Sequence, residues 1–197
     1  VHSVPIVLNA LDAAEVASGD RVLVTGAGGT LGRAAVALAL HRGAAVTAAT
    51  RRPPATPLGA ATLVVPRAED LPDAIAADGA SFDVVIDVSG HAPTLGAGIA
   101  ALGWGGRAVF CAASIDTSLT IDTRDFYLRR KRLRGVASAS YDQVARALDL
   151  HEIAQHIRHG REVLPAKPAR ASHRKRFPRG RRNRHRKARG ICRLHDQ

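Results

Sequence analysis

The sequence predicts an α/β domain built on a doubly wound, six-stranded parallel sheet, followed by a disordered basic C-terminal tail. Three observations carry that expectation. Short apolar, β-branched runs alternate with helical stretches through residues 1–160, the pattern of parallel strands covered on both faces. A glycine-rich turn joins a strand directly to a helix at Gly26–Gly32. The charge is also divided: residues 161–197 hold 14 of the 29 Lys+Arg and 2 of the 17 Asp+Glu, so the entire net charge of +12 lies there and residues 1–160 sum to zero. Residues 1–160 are therefore expected to form one nucleotide-binding domain, and 161–197 an Arg-rich tail.

The elements follow in order. Arg21–Thr25 (RVLVT) reads as a buried strand, Gly26–Gly32 as a turn, and Leu31–His41 (LGRAAVALALH) as a helix closed by Gly43. Ala45–Thr50 and Ala61–Val65 are the next strands. Three prolines between Arg51 and Gly59 leave little room for a helix, so this crossover is expected to be abbreviated. Glu69–Ala77 reads as a short helix, Asp83–Val88 as a strand, Thr94–Leu102 as a helix closed by Gly103, and Arg107–Ala112 as a fifth strand. Thr123–Arg130 gives a helical turn or two, Arg132–Val136 a sixth strand, and Tyr141–His159 a last helix. No element is read before Arg21.

Composition removes several classes. Two cysteines, Cys111 and Cys192, make neither a disulfide scaffold nor a four-cysteine zinc site, and Cys111 reads as a small core residue. No window reaches the ~18 apolar residues of a membrane span, and no signal peptide is evident, so a cytoplasmic setting is the expectation. No methionine occurs, even at position 1, which suggests a missing initiator, another start codon or a piece of a longer chain.

The chemistry concentrates in strand-to-helix turns. In Val22–Gly32 (VLVTGAGGTLG), the backbone amides of Gly26, Gly28, Gly29, Thr30, Leu31 and Gly32 are expected to cradle a pyrophosphate at a helix N-terminus. The spacing is Gly26-x-x-Gly29-x-x-Gly32, and Leu31 stands where a strict G-x-G-x-x-G would place its last glycine. At the end of the next strand, an NAD site usually carries an acid for the ribose 2′-hydroxyl. Thr50, Arg51 and Arg52 stand there instead, a set suited to a 2′-phosphate, so NADP is favoured and NAD stays open. Ser89, Gly90, Ala112 and Ala113, at two further strand ends, would line the crevice near the nicotinamide half. Asp87 reads as a strand-end carboxylate that binds loop amides.

Together, Ser18–Gly26 (SGDRVLVTG), Phe82–Asp87 (FDVVID) and Gly105–Phe110 (GGRAVF) resemble the cofactor-binding Rossmann domain of medium-chain dehydrogenase/reductases. That family includes zinc-type alcohol dehydrogenases and zinc-free quinone oxidoreductases. Asp125–Gly135 (DFYLRRKRLRG) resembles the segment leading into its sixth strand, and the resemblance covers about residues 4–165. The glycine spacing is closer to the quinone oxidoreductase branch. The resemblance implies hydride transfer with NADPH or NADH and often a homodimer through the sixth strand, whose edge at Arg132–Val136 would otherwise be unpaired. In that family a preceding domain supplies the substrate pocket and any zinc ligands. Here the cofactor domain starts almost at residue 1, so no catalytic residue and no zinc is assigned, and little turnover by this chain alone is expected. His91, His151, His156 and His159 have no motif context.

Two alternatives remain open at this point. One is a non-catalytic nucleotide-binding module whose tail, residues 166–190, binds nucleic acid through phosphates. The other is an extended short-chain dehydrogenase, whose Tyr-x-x-x-Lys pair is formally present as Tyr127 and Lys131. The tail itself reads as a basic arm, a solvated end, or a stretch of coding read out of frame.

Overall fold

The computed structural model describes residues 3–158 apart from Thr56, Ala80 and Ser114, with the side chains of Asp78 and 151–158 left out; the basic tail and His159 lie outside the described residues. Six strands run in parallel: β1 (Arg21–Thr25), β2 (Ala45–Thr50), β3 (Ala61–Val64), β4 (Phe82–Asp87), β5 (Leu102–Phe110) and β6 (Arg132–Gly135). Their order in the sheet is β3-β2-β1-β4-β5-β6. The chain thus winds outward from β1 to β3, returns, and winds outward again from β4 to β6. The reversal falls between β1 and β4, the place where such sheets open a crevice beyond their carboxyl edge.

Alternation along the central strands builds two cores. Val22, Val24, Val84, Ile86 and Val109 face one side, where α1 (Ser3–Ala13) and α2 (Thr30–His41) contribute Val7, Leu11 and Val36. Leu23 and Val85 face the other, where α3 (Leu71–Asp78) and α4 (Ala92–Ala100) contribute Leu71, Ile75, Leu95 and Ile99; Phe82, ahead of the register shift in β4, also joins this second core. Two further helices complete the fold, the short α5 (Thr123–Leu128) before β6 and the 18-residue α6 (Tyr141–Arg158) after it. Gln143 and Arg146 on α6 hold Asp12 of α1, at 3.2 and 2.8 Å.

Three expectations need correction. The first element is not the strand at Arg21: α1 precedes it and buries Val7, Leu8, Ala10 and Leu11, an i, i+1, i+3, i+4 stripe that Pro5 near the helix start does not interrupt. The helix expected over Thr94–Leu102 runs Ala92–Ala100, with proline at its start, and Gly103 lies inside β5 rather than behind a helix. β5 accordingly starts at Leu102, not Arg107. Phe82 pairs with Leu102 and Val84 with Arg107, so the residues between them bulge out of register, and Gly105 takes a φ of 70°. The crossover from β2 to β3 contains no helix among the described residues, as its prolines predict.

Candidate functional site

β1 ends at Thr25, and the chain turns under Gly26 at a φ of 74°. A Cβ on Gly26 would come within 2.9 Å of the Ser89 backbone, so a larger residue would push the β1 and β4 ends apart. At Gly32 the constraint is tighter: a Cβ would stand 2.3 Å from the Gly26 carbonyl oxygen and 2.4 Å from Ala27 Cα. The first turn of α2 is therefore pressed directly onto the turn that precedes it. Gly28, Gly29 and Thr30 are exposed, and Gly29 is the N-cap, with no side chain capping α2. The first-turn amides of a helix have no intrahelical partner, and their dipoles add to a partial positive charge. An uncapped, exposed, glycine-lined N-terminus of this kind is a cradle for an anion.

The Ala27 amide donates to Ala49 O at 3.1 Å, which ties the glycine turn to the end of β2. Thr50 is buried there; its hydroxyl donates to Arg52 O at 2.8 Å and shapes the exit from the strand. A Cβ on Gly28 would lie 3.9 Å from the Thr50 side chain, so the turn and the β2 end share one surface. Arg51 and Arg52 are exposed, and neither forms an ion pair with another described residue.

Across β1, the ends of β4 and β5 are held by hydrogen bonds. Asp87 is buried and accepts from the hydroxyls of Thr25 and Ser89, the latter at 2.6 Å. The Ser89 amide is 3.4 Å from the same oxygen, so the carboxylate serves the loop mainly through hydroxyls. Ser89 Oγ in turn accepts from the His91 amide at 3.2 Å. Gly90 O accepts from the Ile115 amide at 2.9 Å, which brings the β4 loop to the segment holding Ala112 and Ala113. Asp116 accepts from the Ala92 amide at 2.7 Å, at the start of α4. A cleft of about 160 Å³ opens here, lined by the polar residues His91 and Asp116 and by the apolar residues Leu95, Phe110, Ala112 and Leu119. Cys111 is buried beside it; burial, with the Asp87 carboxylate adding to it, pushes the thiol up to about 11. It stays a thiol at neutral pH and acts as core.

The expected site residues thus fall on adjacent strand ends along one edge of the sheet. Tyr127 and Lys131 do not form a reactive pair. Tyr127 is 79% exposed, whereas the Lys131 ammonium is buried and donates to Ile99 O at 2.8 Å, Ala100 O at 3.2 Å and Asp125. That lysine ties the C-terminal end of α4 to α5, and the short-chain dehydrogenase reading is set aside. His91, without motif context in the sequence, proves to lie in the cleft. Only its position after a strand-end glycine could have signalled that. No group of three or more His, Cys, Asp or Glu among the described residues is placed to hold a metal ion, so this part of the chain does not fit a zinc site. No helix among the described residues is long and apolar enough to cross a membrane.

Sheet order, glycine turn and uncapped helix together define a Rossmann-type nucleotide-binding domain. Residues 30–152, more than half of the chain, match the family model of zinc-binding dehydrogenases. The chain belongs to that family and constitutes its cofactor-binding domain, within the medium-chain dehydrogenase/reductases. No curated protein matches it. Among solved structures, AibC superposes with a TM-score of 0.70 at 22% identity, over 77% of this chain and 44% of that one. A thermostable alcohol dehydrogenase from Pyrobaculum aerophilum gives 0.63 at 26%, over 82% and 46%. The 2-octenoyl-CoA carboxylase reductase CinF, solved with NADP and 2-octenoyl-CoA, gives 0.68 at 21%, over 77% and 40%. The chain spans less than half the length of each of these three proteins.

Proposed function

We propose that this domain binds NADPH across the carboxyl edge of its sheet and serves hydride transfer when joined to a substrate-binding region. The observation that supports the reading is the uncapped N-terminus of α2, pressed by Gly32 onto the glycine turn, with the Thr50 strand end beside that turn and Arg51 and Arg52 next in the chain. In this reading the amides of Thr30, Leu31 and Gly32 donate to the pyrophosphate, and the glycines Gly26, Gly28 and Gly29 let it approach. The Arg51 and Arg52 guanidiniums take the 2′-phosphate bidentately, beside the Thr50 strand end. Ser89, Gly90, Ala112 and Ala113 line the nicotinamide half. The nicotinamide, when bound, supplies the hydride chemistry; the chain binds and orients it. The NADP bound to CinF supports the dinucleotide and is compatible with the phosphate reading. The glycine spacing, Gly26-x-x-Gly29-x-x-Gly32, supports the quinone oxidoreductase branch in this reading. Little turnover is expected from this chain alone, since no substrate pocket of its own is assigned.

NADPH at a hundred times its Kd is expected to stabilise the chain by about 2.7 kcal/mol, and NADH at the same concentration by less. Thermal unfolding with each cofactor checks this. Equal shifts would remove the role of Arg51 and Arg52, and no shift with either would remove the binding reading. We further propose pairing of β6 edges between two copies of the chain. Arg132, Arg134 and Gly135 are exposed on that edge strand. Sedimentation showing a monomer at all concentrations would overturn it.

A further inference from the structure

We propose that His91 is a cofactor-contacting residue at the nicotinamide end of the site, with Thr94, Ser89 and Asp87 as positioning residues. The inference rests on the dinucleotide reading above and names a side chain that reading lacks. The sheet order sets β2 on one side of β1 and β4 and β5 on the other. With the adenosine phosphate at Thr50–Arg52, the nicotinamide nucleoside falls over β4 and β5. Ser89, Gly90, Ala112 and Ala113 offer a single side-chain hydroxyl there, and it is already engaged. Ser89 Oγ donates to Asp87 at 2.6 Å and accepts from the His91 amide at 3.2 Å.

His91 is placed differently. Its amide is fixed through Ser89 to Asp87, a buried carboxylate that also accepts from Thr25 at the end of β1. Its ring Nδ1 lies 3.3 Å from the Thr94 hydroxyl, one turn into α4. Taking that hydroxyl as the donor, Nδ1 accepts and the ring N–H lies at Nε2, a tautomer assigned from the contact. Nε2 has no hydrogen-bond partner among the described residues, and His91 lines the cleft walled by Leu95, Phe110 and Leu119. At about 160 Å³ the cleft is too small for a dinucleotide and large enough for one flat ring with its substituents. The Nε2–H therefore meets an acceptor oxygen of the nicotinamide nucleoside, a ribose hydroxyl or the carboxamide oxygen.

The test is calorimetric titration of the full chain with NADPH and with 2′,5′-ADP, which carries only the adenosine end; NADH and ADP are run in parallel. The wild-type chain is expected to bind both members of the NADPH pair. His91→Ala is expected to raise the Kd for NADPH about five- to tenfold, the loss of one hydrogen bond, and to leave 2′,5′-ADP unchanged. His91→Gln, which carries an amide N–H to a similar reach, restores most of the loss, and Thr94→Val gives a smaller loss with NADPH alone. An unchanged NADPH affinity in His91→Ala, or equal weakening of NADPH and 2′,5′-ADP, overturns the assignment. A wild-type chain that binds none of the four ligands overturns the dinucleotide reading itself, which separates the two failures.

Discussion

On one side of β1 the sheet ends in β3, where Ala61, Thr62 and Val64 are exposed and the crossover from β2 carries no helix among the described residues. On the other side β4 is buried along almost its whole length, between helices on both faces, and its end is tied to β1 through Thr25, Asp87 and Ser89. The two flanks address the two ends of the same proposed ligand. The β2 flank offers exposed guanidiniums on a short connection, suited to a charged group that keeps part of its hydration. The β4 flank offers a fixed loop and a small cleft, suited to a ring that must be oriented for transfer. The difference suggests that affinity is set on the open flank and geometry on the buried one.

The largest effect is expected where both flanks depend on one contact. Gly32→Val places side-chain atoms against the Gly26 carbonyl and Ala27 backbone, neither of which can swing aside. A loss of about 3 kcal/mol and of all dinucleotide binding is expected, read by urea unfolding and titration. Next comes the contrast itself. Val85, wholly buried in β4, should lose about 2 kcal/mol on substitution by Ala, whereas Val64→Ala, on the exposed β3 edge, should lose under about 0.5. Similar losses from the two would break the comparison.

A third effect is set by pH. The Lys131 ammonium, hydrogen-bonded to Asp125 and assisted by Arg129, holds that carboxyl below its ordinary value of 3.8. Because the folded value is the lower one, the pair contributes stability above the unfolded value, and that contribution is lost as pH falls through the folded value. Unfolding followed from pH 5 to 2 should show it. Lys131→Met is expected to flatten part of the slope, and an unchanged slope would contradict the pairing. The smallest effect on stability is expected from Arg51→Ala and Arg52→Ala, within about 0.5 kcal/mol. Their effect on selectivity is larger, with the preference for NADPH over NADH falling about tenfold in competition titrations.

Strand cores were legible because β-branched runs buried on both faces leave a plain signal, as at Arg21–Thr25 and Phe82–Asp87. The glycine turn was legible because its residues have a steric duty that no other residue meets, as at Gly32. α1 was not, since Ser3–Ala13 carries proline and β-branched residues, and its burial comes from packing on α2, α6 and β5 rather than from helix propensity. The start of β5 was misread for a related reason: Gly103, Gly105 and Gly106 look like a helix stop, and only pairing with β4 draws them into a strand. At the site, Asp87 was readable as a strand-end carboxylate. The link from Asp87 through Ser89 to His91 depends on distances that no spacing encodes.

The central claim, that these strand ends form a dinucleotide site with a phosphate-reading flank, is tested most directly by titrating NADPH and NADH into the full chain and into Arg51→Ala/Arg52→Ala. Saturable binding of both cofactors, tighter for NADPH in the unaltered chain and equalised in the double variant, is the predicted result. No saturable binding of either cofactor, or a preference for NADPH that survives the double substitution, would contradict it.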